Sequence, residues 1–398
     1  MKKVFRLLLI LLLLIPFQIK ADAFEIDSQK VILLNLTNNE TIYEKGKDDI
    51  IKVASMQKVM TALVAIENLD NLDEKIVIPY GMFSSLDSDL AVAGFYAGEN
   101  LTYNDLLYAT LLKSGADAAY ALGIYVAGSE EEYVKMMNEK AKSLGLKNTV
   151  FKNTTGLDAE GQYSTVSDIA ILFKYALNNK DFKRIVSTDN YTTTDGEYLF
   201  HGPVDAAKKR GMDYFLGGKT GYTEEAGLCL VSYASAKGID YLLVTAGADY
   251  HKNYQNFYDQ KTIYDYYINN YSFTDVIKKG KIIDKVKTIY DEQVIIKAPR
   301  NVKLYLNNSI FIRDLDIVFK QEKELDRTIK KGDKIGKYEI KYKDTVLYEE
   351  DILSPITVNF RIKKEYVLVL LIILLSILIH LSFRKASRKR RRKLRKKL

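Results

Sequence analysis

One segment constrains this chain more than any other: YVLVLLIILLSILIHLSF, residues 366–383, followed at once by RKASRKRRRKLRKKL. Its 18 uncharged, almost wholly apolar residues make a helix of about 27 Å, against a bilayer core of roughly 30 Å. A buried core helix fits badly beside a tail of 11 basic residues with no acid. That tail outweighs Arg361, Lys363 and Lys364 on the other flank, so the positive-inside rule leaves it in the cytoplasm. The expectation is one transmembrane helix over 366–383 and a polybasic cytoplasmic tail over 384–398 that meets anionic lipid headgroups. Everything else must then fold outside.

The other end agrees. MKKVFRLLLILLLLIPFQIKADA carries Lys2, Lys3 and Arg6, an apolar run from Leu7 to Phe17 broken by Pro16, and Ala21-Asp22-Ala23. That is the order of a secretory signal with a small-x-small cleavage site, and the run is too short to span a bilayer. Residues 1–23 are predicted to be a signal peptide cleaved after Ala23. The formal charge of +8 therefore belongs to the ends; residues 24–383 carry a net charge of −6. A basic patch beside a membrane segment faces lipid, and no nucleic-acid partner is expected. The single cysteine, Cys229, excludes an internal disulfide framework and a thiolate zinc site. There are three histidines and no His-Glu-x-x-His, which argues against a metalloprotease, and no metal or cofactor is expected. A Ser-His-Asp triad would have to use His201 or His251, both read as surface or satisfied histidines.

The body changes character near residue 275. Before it, VILLNL and TIYEK read as a hairpin around TNNE. Met56, Val59, Met60, Leu63 and Val64 fall on one helical face, and further helices fit 103–126, 130–144 and 164–177. LCLVSYAS and YLLVTAG, joined by KGID, return to strands. Strands first, helices between and strands last predict an α+β fold, an antiparallel sheet with packed helices, over residues 24–272. Beyond it, KIIDKVKTIY, EQVIIKA, VKLYLN, DIVFK, IGKYEIKYK and DTVLYEED alternate between turns, which predicts a small all-β domain over 275–360 that serves as a spacer or stalk.

Three segments of the first domain could carry chemistry. IKVASMQKVMTAL places Ser55 one turn before Lys58, a nucleophile with its base or a helix cap with a solvated lysine. The spacing alone is not diagnostic, because Ser-x-x-Lys recurs at Ser382 to Lys385. A lysine with an ordinary pKa of about 10.4 can act as a base only if burial and a second cation lower it. GGKTGYTEEAG offers that cation in Lys219. On a strand Lys219 and Gly221 share a face, so Lys219 would point into a cleft and Gly221 would leave room for an extended substrate backbone. LLKSGADAAYALG places Ser114 between two apolar runs, where it is either a proton relay or an N-cap.

ASMQKVMTAL, SGADAA and KTGYT, in that order, closely resemble the three active-site motifs of penicillin-binding enzymes, in the form found in the D-alanyl-D-alanine carboxypeptidases. FEIDSQKVILLNLTNNETIYEKG, ENLTYNDLLYATLLKSGADAA and NTTGLDAEGQYSTVSDIA resemble segments of the same family, so the likeness covers about residues 24–250. One position departs from it: Ala116 stands where the family usually has Asn, whose side chain hydrogen-bonds the bound peptide.

The resemblance implies a β-lactamase/penicillin-binding-protein-like fold and a serine peptidase of the bacterial cell membrane with its catalytic domain outside. It further implies peptidoglycan stem peptides as substrate and β-lactams as covalent inhibitors. Ser55 would be the nucleophile, Lys58 its base and Ser114 the relay. Lys219 and Thr220 would hold the terminal carboxylate, Gly221 would face the substrate, and the backbone N–H groups of Ser55 and Tyr222 would hold the oxyanion. Two alternatives remain: a β-lactamase, although no Glu-x-x-Leu-Asn segment is evident, and a catalytically weak cell-wall-binding protein, which only Ala116 favours.

Overall fold

The computed structural model describes residues 24–84, 86, 90–360 and 364–395. The predicted signal peptide, 1–23, lies outside the described residues, as do residues 396–398 of the tail. The chain divides into two compact units, with the division after Asn269.

The first unit is built on a five-stranded antiparallel sheet. Its strands are β1 (Lys30–Asn35), β2 (Glu40–Lys45), β3 (Phe215–Thr223), β4 (Gly227–Ala236) and β5 (Ile239–Ala248), in the spatial order β2-β1-β5-β4-β3. The N-terminal hairpin therefore docks on the last strand, from Lys30 opposite Ala246 to Asn35 opposite Tyr241. This leaves β3 as an edge strand. The strands β4 and β5 are apolar on both faces because both faces are covered. Cys229 and Val231 enter the main helical core, while the Ser232 hydroxyl turns the other way to meet Gln260 and Tyr264 of the helix Gln255–Asn270.

Five helices of this unit matter here: α1 (Lys58–Asn68), α2 (Ala116–Ala127), α3 (Glu130–Ser143), α4 (Val166–Ala176) and α5 (Gln255–Asn270). The apolar face expected for α1 is buried, but so are Thr61, Ala62 and Ala65 around the rest of its circumference. The helix is enclosed by α2, α3 and α4. Such a helix is not amphipathic; it is the central rod of the unit. It is also where the Ser-x-x-Lys segment begins.

The helix expected over 103–126 is broken in the middle. An α-helix over Tyr103–Tyr108, opened by a Thr102–Asp105 capping box, widens into a π-helical turn at Ala109–Lys113. The chain then passes through Ser114 in the left-handed region, at φ 66°, before α2 starts at Ala116. Apolar periodicity continues on both sides of the break, so the pattern did not disclose it; the π turn and the left-handed residue are tertiary choices.

The second unit contains β6 (Tyr271–Ile277), β7 (Ile282–Lys287), β8 (Gln293–Lys297), β9 (Val302–Asn307), β10 (Leu315–Gln321), β11 (Lys334–Tyr342) and β12 (Thr345–Leu353). They pair as β6-β9, β7-β8 and β10-β11-β12 around a core that includes Ile277, Ile296, Ile335, Tyr338 and Ile340. Strand β6 was not expected. Tyr271 and Ser272, assigned by sequence to the first domain, instead pair with Asn307 and Leu306. A final helix, α6 (Lys364–Arg395), is exposed along its described side chains. Its segment Glu365–Arg392 is long and apolar enough to cross a membrane, and the helix runs on through the first part of the basic tail instead of ending at 383.

Candidate active site

Ser55 lies in a 3₁₀ turn, Ala54–Gln57, that leads directly into α1. With three residues per turn, Ser55 and Lys58 come close to eclipsing one another, more so than on an α-helix. Lys58 Nζ is 3.0 Å from Ser55 Oγ. The lysine is only 2 % exposed, and its Nζ also donates to the Thr155 carbonyl. Two neighbouring bonds fix the same loop. Gln57 Nε2 donates to the Asn153 carbonyl, and Thr61 Oγ1 donates to the Thr154 carbonyl at 2.8 Å. The Lys58 amine is thus held between its own helix and the loop 153–155. The second Ser-x-x-Lys has no such setting, because Ser382 Oγ donates back to Leu378 O on an exposed helix.

The turn is set by backbone conformations that side chains rarely tolerate. Ala54 has φ 49°, and Gly156 has φ 83°. A Cβ on Gly156 would lie 2.2 Å from Ala54 O, so the two left-handed residues are pressed together directly behind Ser55. Strain of this kind collects at functional sites, where the surroundings over-determine the conformation.

On β3, Lys219 is fully buried and its Nζ donates to the Thr220 carbonyl at 2.8 Å. Thr220 is half-buried, and Tyr222 is 47 % exposed with its ring 5.7 Å from that of Tyr250. Gly221 differs from expectation. A Cβ there would lie 3.1 Å from Met56 N, 3.3 Å from Ala54 Cβ and 3.3 Å from Ser55 N. The space a side chain would fill is therefore taken by the turn that carries Ser55 rather than left for a substrate. The missing side chain lets the Ser55 N–H stand beside Gly221, one residue from the N–H of Tyr222.

Ser114 occupies the left-handed break before α2, and α2 packs on α1. Among the described residues no hydrogen bond joins its hydroxyl to Ser55, Lys58 or Lys219. Ala116 is 1 % exposed, and its N–H donates to Ala91 O at 2.8 Å. Sequence reasoning assigned no role to the neighbouring Asp117, or to the carbonyls of Asn153, Thr154 and Thr155. Backbone acceptors leave no signature in residue identity. Asp117 is buried and gathers backbone N–H groups from residues 93–95.

Burial dominates the electrostatics. It lowers Lys58 to about 7, with the Asp117 carboxylate acting in the opposite sense. It also pushes Lys219 well below its ordinary value, and repulsion from Lys58 adds to the effect. Two ammonium groups so placed do not both hold a proton readily at neutral pH. The lone thiol, Cys229, sits opposite Gly221 on β4 and is pushed up to about 12 by burial, so it is inert. Among the described residues no group of three or more His, Cys, Asp or Glu side chains could hold a metal ion. The arrangement offers a hydroxyl, a desolvated amine in contact with it, a second amine on an edge strand and two adjoining backbone N–H groups. Such a set can form and break an acyl-enzyme.

Residues 17–250 match the family described as D-alanyl-D-alanine carboxypeptidase, and residues 271–359 match the C-terminal domain of penicillin-binding protein 5. The D-alanyl-D-alanine carboxypeptidase DacF of Bacillus subtilis is 30 % identical over 355 residues, which is 87 % of this chain and 88 % of that one. The D-alanyl-D-alanine endopeptidase of Haemophilus influenzae is 31 % identical over 208 residues, covering 51 % of this chain and 69 % of its own length. The crystal structure of penicillin binding protein 5 from Haemophilus influenzae covers 85 % of this chain and 99 % of its own, with a TM-score of 0.63 at 21 % identity, a likeness of fold.

Proposed function

Because the chain belongs to the D-alanyl-D-alanine carboxypeptidase family, we propose that Ser55, Lys58, Ser114 and the segment Lys219–Tyr222 carry that family's reaction here. The protein is a serine-type D-Ala-D-Ala carboxypeptidase that acts on peptidoglycan and binds β-lactams. The observation that supports these residue roles is the 3.0 Å contact between a buried Lys58 amine and Ser55 Oγ.

In the proposed cycle the terminal D-alanine carboxylate of a stem peptide docks on Lys219 and Thr220. An anion there favours the protonated form of Lys219, and the resulting cation disfavours a second proton on Lys58. Substrate binding thereby makes the base. Lys58 takes the proton from Ser55 Oγ, which attacks the penultimate D-alanine carbonyl. The oxyanion is held by the N–H groups of Ser55 and Tyr222, donors of a kind worth about 3–4 kcal/mol each. The C–N bond breaks, and the amine of the leaving D-alanine receives the proton through Ser114. Water then attacks the ester, Lys58 takes its proton, and Ser55 is regenerated as the shortened peptide leaves. A β-lactam follows the first half and stops at the acyl-enzyme.

The apolar α6 fits a membrane anchor. The fuller reading is a single-pass protein with both units outside the membrane and the basic tail against anionic cytoplasmic lipid. Protease digestion of intact spheroplasts would remove the units and spare the tail if that topology holds.

The direct test uses the full chain in detergent with a fluorescent penicillin, alongside Ser55→Ala, followed by D-alanine release from a pentapeptide. Stable labelling that vanishes in the variant, with D-alanine released by the wild type, is the expected result. Brief labelling with rapid release would make the protein a β-lactamase. No labelling at any concentration would overturn the assignment of Ser55.

A further inference from the structure

Asp117 is only 2 % exposed, yet it carries a carboxylate that the proposed cycle does not use. Its Oδ1 accepts from Ala93 N at 2.8 Å and from Ala118 N at 2.9 Å; its Oδ2 accepts from Gly94 N at 2.9 Å and from Phe95 N at 3.1 Å. Only one of these donors belongs to its own helix. The other three draw the backbone of residues 93–95 across the start of α2. The same segment is fastened one step earlier, where Ala116 N–H donates to Ala91 O at 2.8 Å. It lies so close that a Cβ on Gly115 would stand 3.0 Å from both Ala93 Cβ and Ala93 N.

Ser114 is thereby caught between two backbones. Behind it the N–H groups of Ser114 and Gly115 both return to Ala109 O, the close of the π turn. In front of it lies the segment 91–95. A left-handed serine has no preference of its own for this position, so its place is decided by those two clamps. Ala116 supplies no side-chain hydrogen bond here, and among the side chains of this turn the holding falls to Asp117.

We infer that Asp117 is a positioning residue for acylation: by strapping residues 93–95 across the second motif, it fixes where the Ser114 hydroxyl stands relative to Ser55 and Lys58. The inference rests on the catalytic reading above. The charge has a second consequence. The groups that act on Lys58 come from four directions: Ser55 on its own turn, the Thr155 carbonyl from the loop, Lys219 from β3 and Asp117 from α2. Asp117 is the anion among them and favours the protonated amine.

The test is the pH profile of the second-order acylation rate, measured on the full chain in detergent with a fluorescent penicillin, for wild type, Asp117→Asn and Asp117→Glu. Asn removes the charge and presents an amide to donors that need an acceptor. The expected result is a plateau lower by roughly tenfold and an acid limb moved to lower pH. Glu keeps the charge but lengthens the arm, so its plateau should fall while its acid limb stays. A lowered plateau in Asp117→Asn with the wild-type acid limb, together with a lowered Tm, would reduce Asp117 to a folding element and overturn the inference. If Asp117→Asn does not accumulate as folded protein, Asp117→Glu decides: a wild-type plateau refutes the positioning role, and a lowered plateau at wild-type Tm sustains it. Failure of the underlying assignment is distinguishable, because it would show as absent labelling in the wild type.

Discussion

Gly221→Ala gives the sharpest test of how the turn that carries Ser55 is seated. The added methyl would stand 3.1 Å from Met56 N and 3.3 Å from both Ala54 Cβ and Ser55 N, where ordinary contacts begin near 3.4 Å. The 3₁₀ turn and β3 must therefore part by a few tenths of an ångström. Strand β3 is at the sheet edge and can bow outward, so the stability loss should sit at the low end of the roughly 1–3 kcal/mol typical of overpacking. The chemistry has less tolerance. The segments that part are the ones that carry the two oxyanion donors of the proposed cycle, the N–H groups of Ser55 and Tyr222. Removing one such donor costs a factor of about 10² to 10³, and a displacement of about 1 Å costs about 10². A shift of a few tenths then predicts a loss of roughly tenfold in acylation. The assay is the second-order rate with a fluorescent penicillin, read beside a thermal melt. The acid limb of the pH profile should not move, because Lys58 keeps its neighbours. Acylation within twofold of wild type at unchanged Tm would refute the seating of the turn against β3. Gly156→Ala is the contrast: its methyl would stand 2.2 Å from Ala54 O at φ 83°, which neither neighbour can relieve, so loss of folded protein is expected.

Acylation by the free enzyme should fall about tenfold per pH unit below a limb near 7, since Lys58, lowered to about 7, accepts a proton only when neutral; a flat rate from pH 5 to 8 would exclude Lys58 as base. Thr61→Val removes the donor that satisfies the Thr154 carbonyl and should lower stability by about 1–3 kcal/mol, measured by denaturant midpoint. In the second unit, hydrogen bonds from Lys320 and then Lys341 hold Glu339 down to about 2. A depressed carboxylate stabilises above its unfolded value, near 4.5, and loses that contribution as pH falls toward 2. Glu339→Gln should therefore lower Tm at pH 7, and the difference should shrink as pH falls from about 4.5 and vanish near 2; a gap independent of pH would show that packing, not charge, is involved.

Much of this arrangement was legible in the residues. The opening hairpin, the paired C-terminal strands and every strand of the second unit except β6 announced themselves through alternation and turn residues. Ser55, Lys58, Lys219 and Thr220 were singled out by the resemblance of three ordered motifs to a known family, because spacing alone did not distinguish them from Ser382 and Lys385. What escaped was of two kinds. The π turn and left-handed Ser114 sit inside unbroken apolar periodicity, and periodicity reports which side is wet, not whether the chain has slipped a residue. The carbonyls of residues 153–155, which hold α1 and its lysine, belong to peptide groups that every sequence contains. Gly221 was recognised as a place of close approach, but what approaches was misread, because only the packed turn shows which neighbour fills the gap.

The sequence by itself determined the chemistry available: a hydroxyl and an amine one turn apart, a second amine two residues before a glycine, and an apolar segment beside a basic tail. These follow from residue identity and short-range spacing, which folding does not alter. The tertiary structure decided whether that chemistry is live. It buried Lys58 and Lys219 so that both amines are held below their ordinary values, brought the Lys58 amine to the Ser55 hydroxyl, and turned Asp117 from a neighbour in sequence toward the backbone of residues 93–95. Those outcomes depend on desolvation and on contacts between segments that are apart in the sequence, as between Lys58 and Thr155.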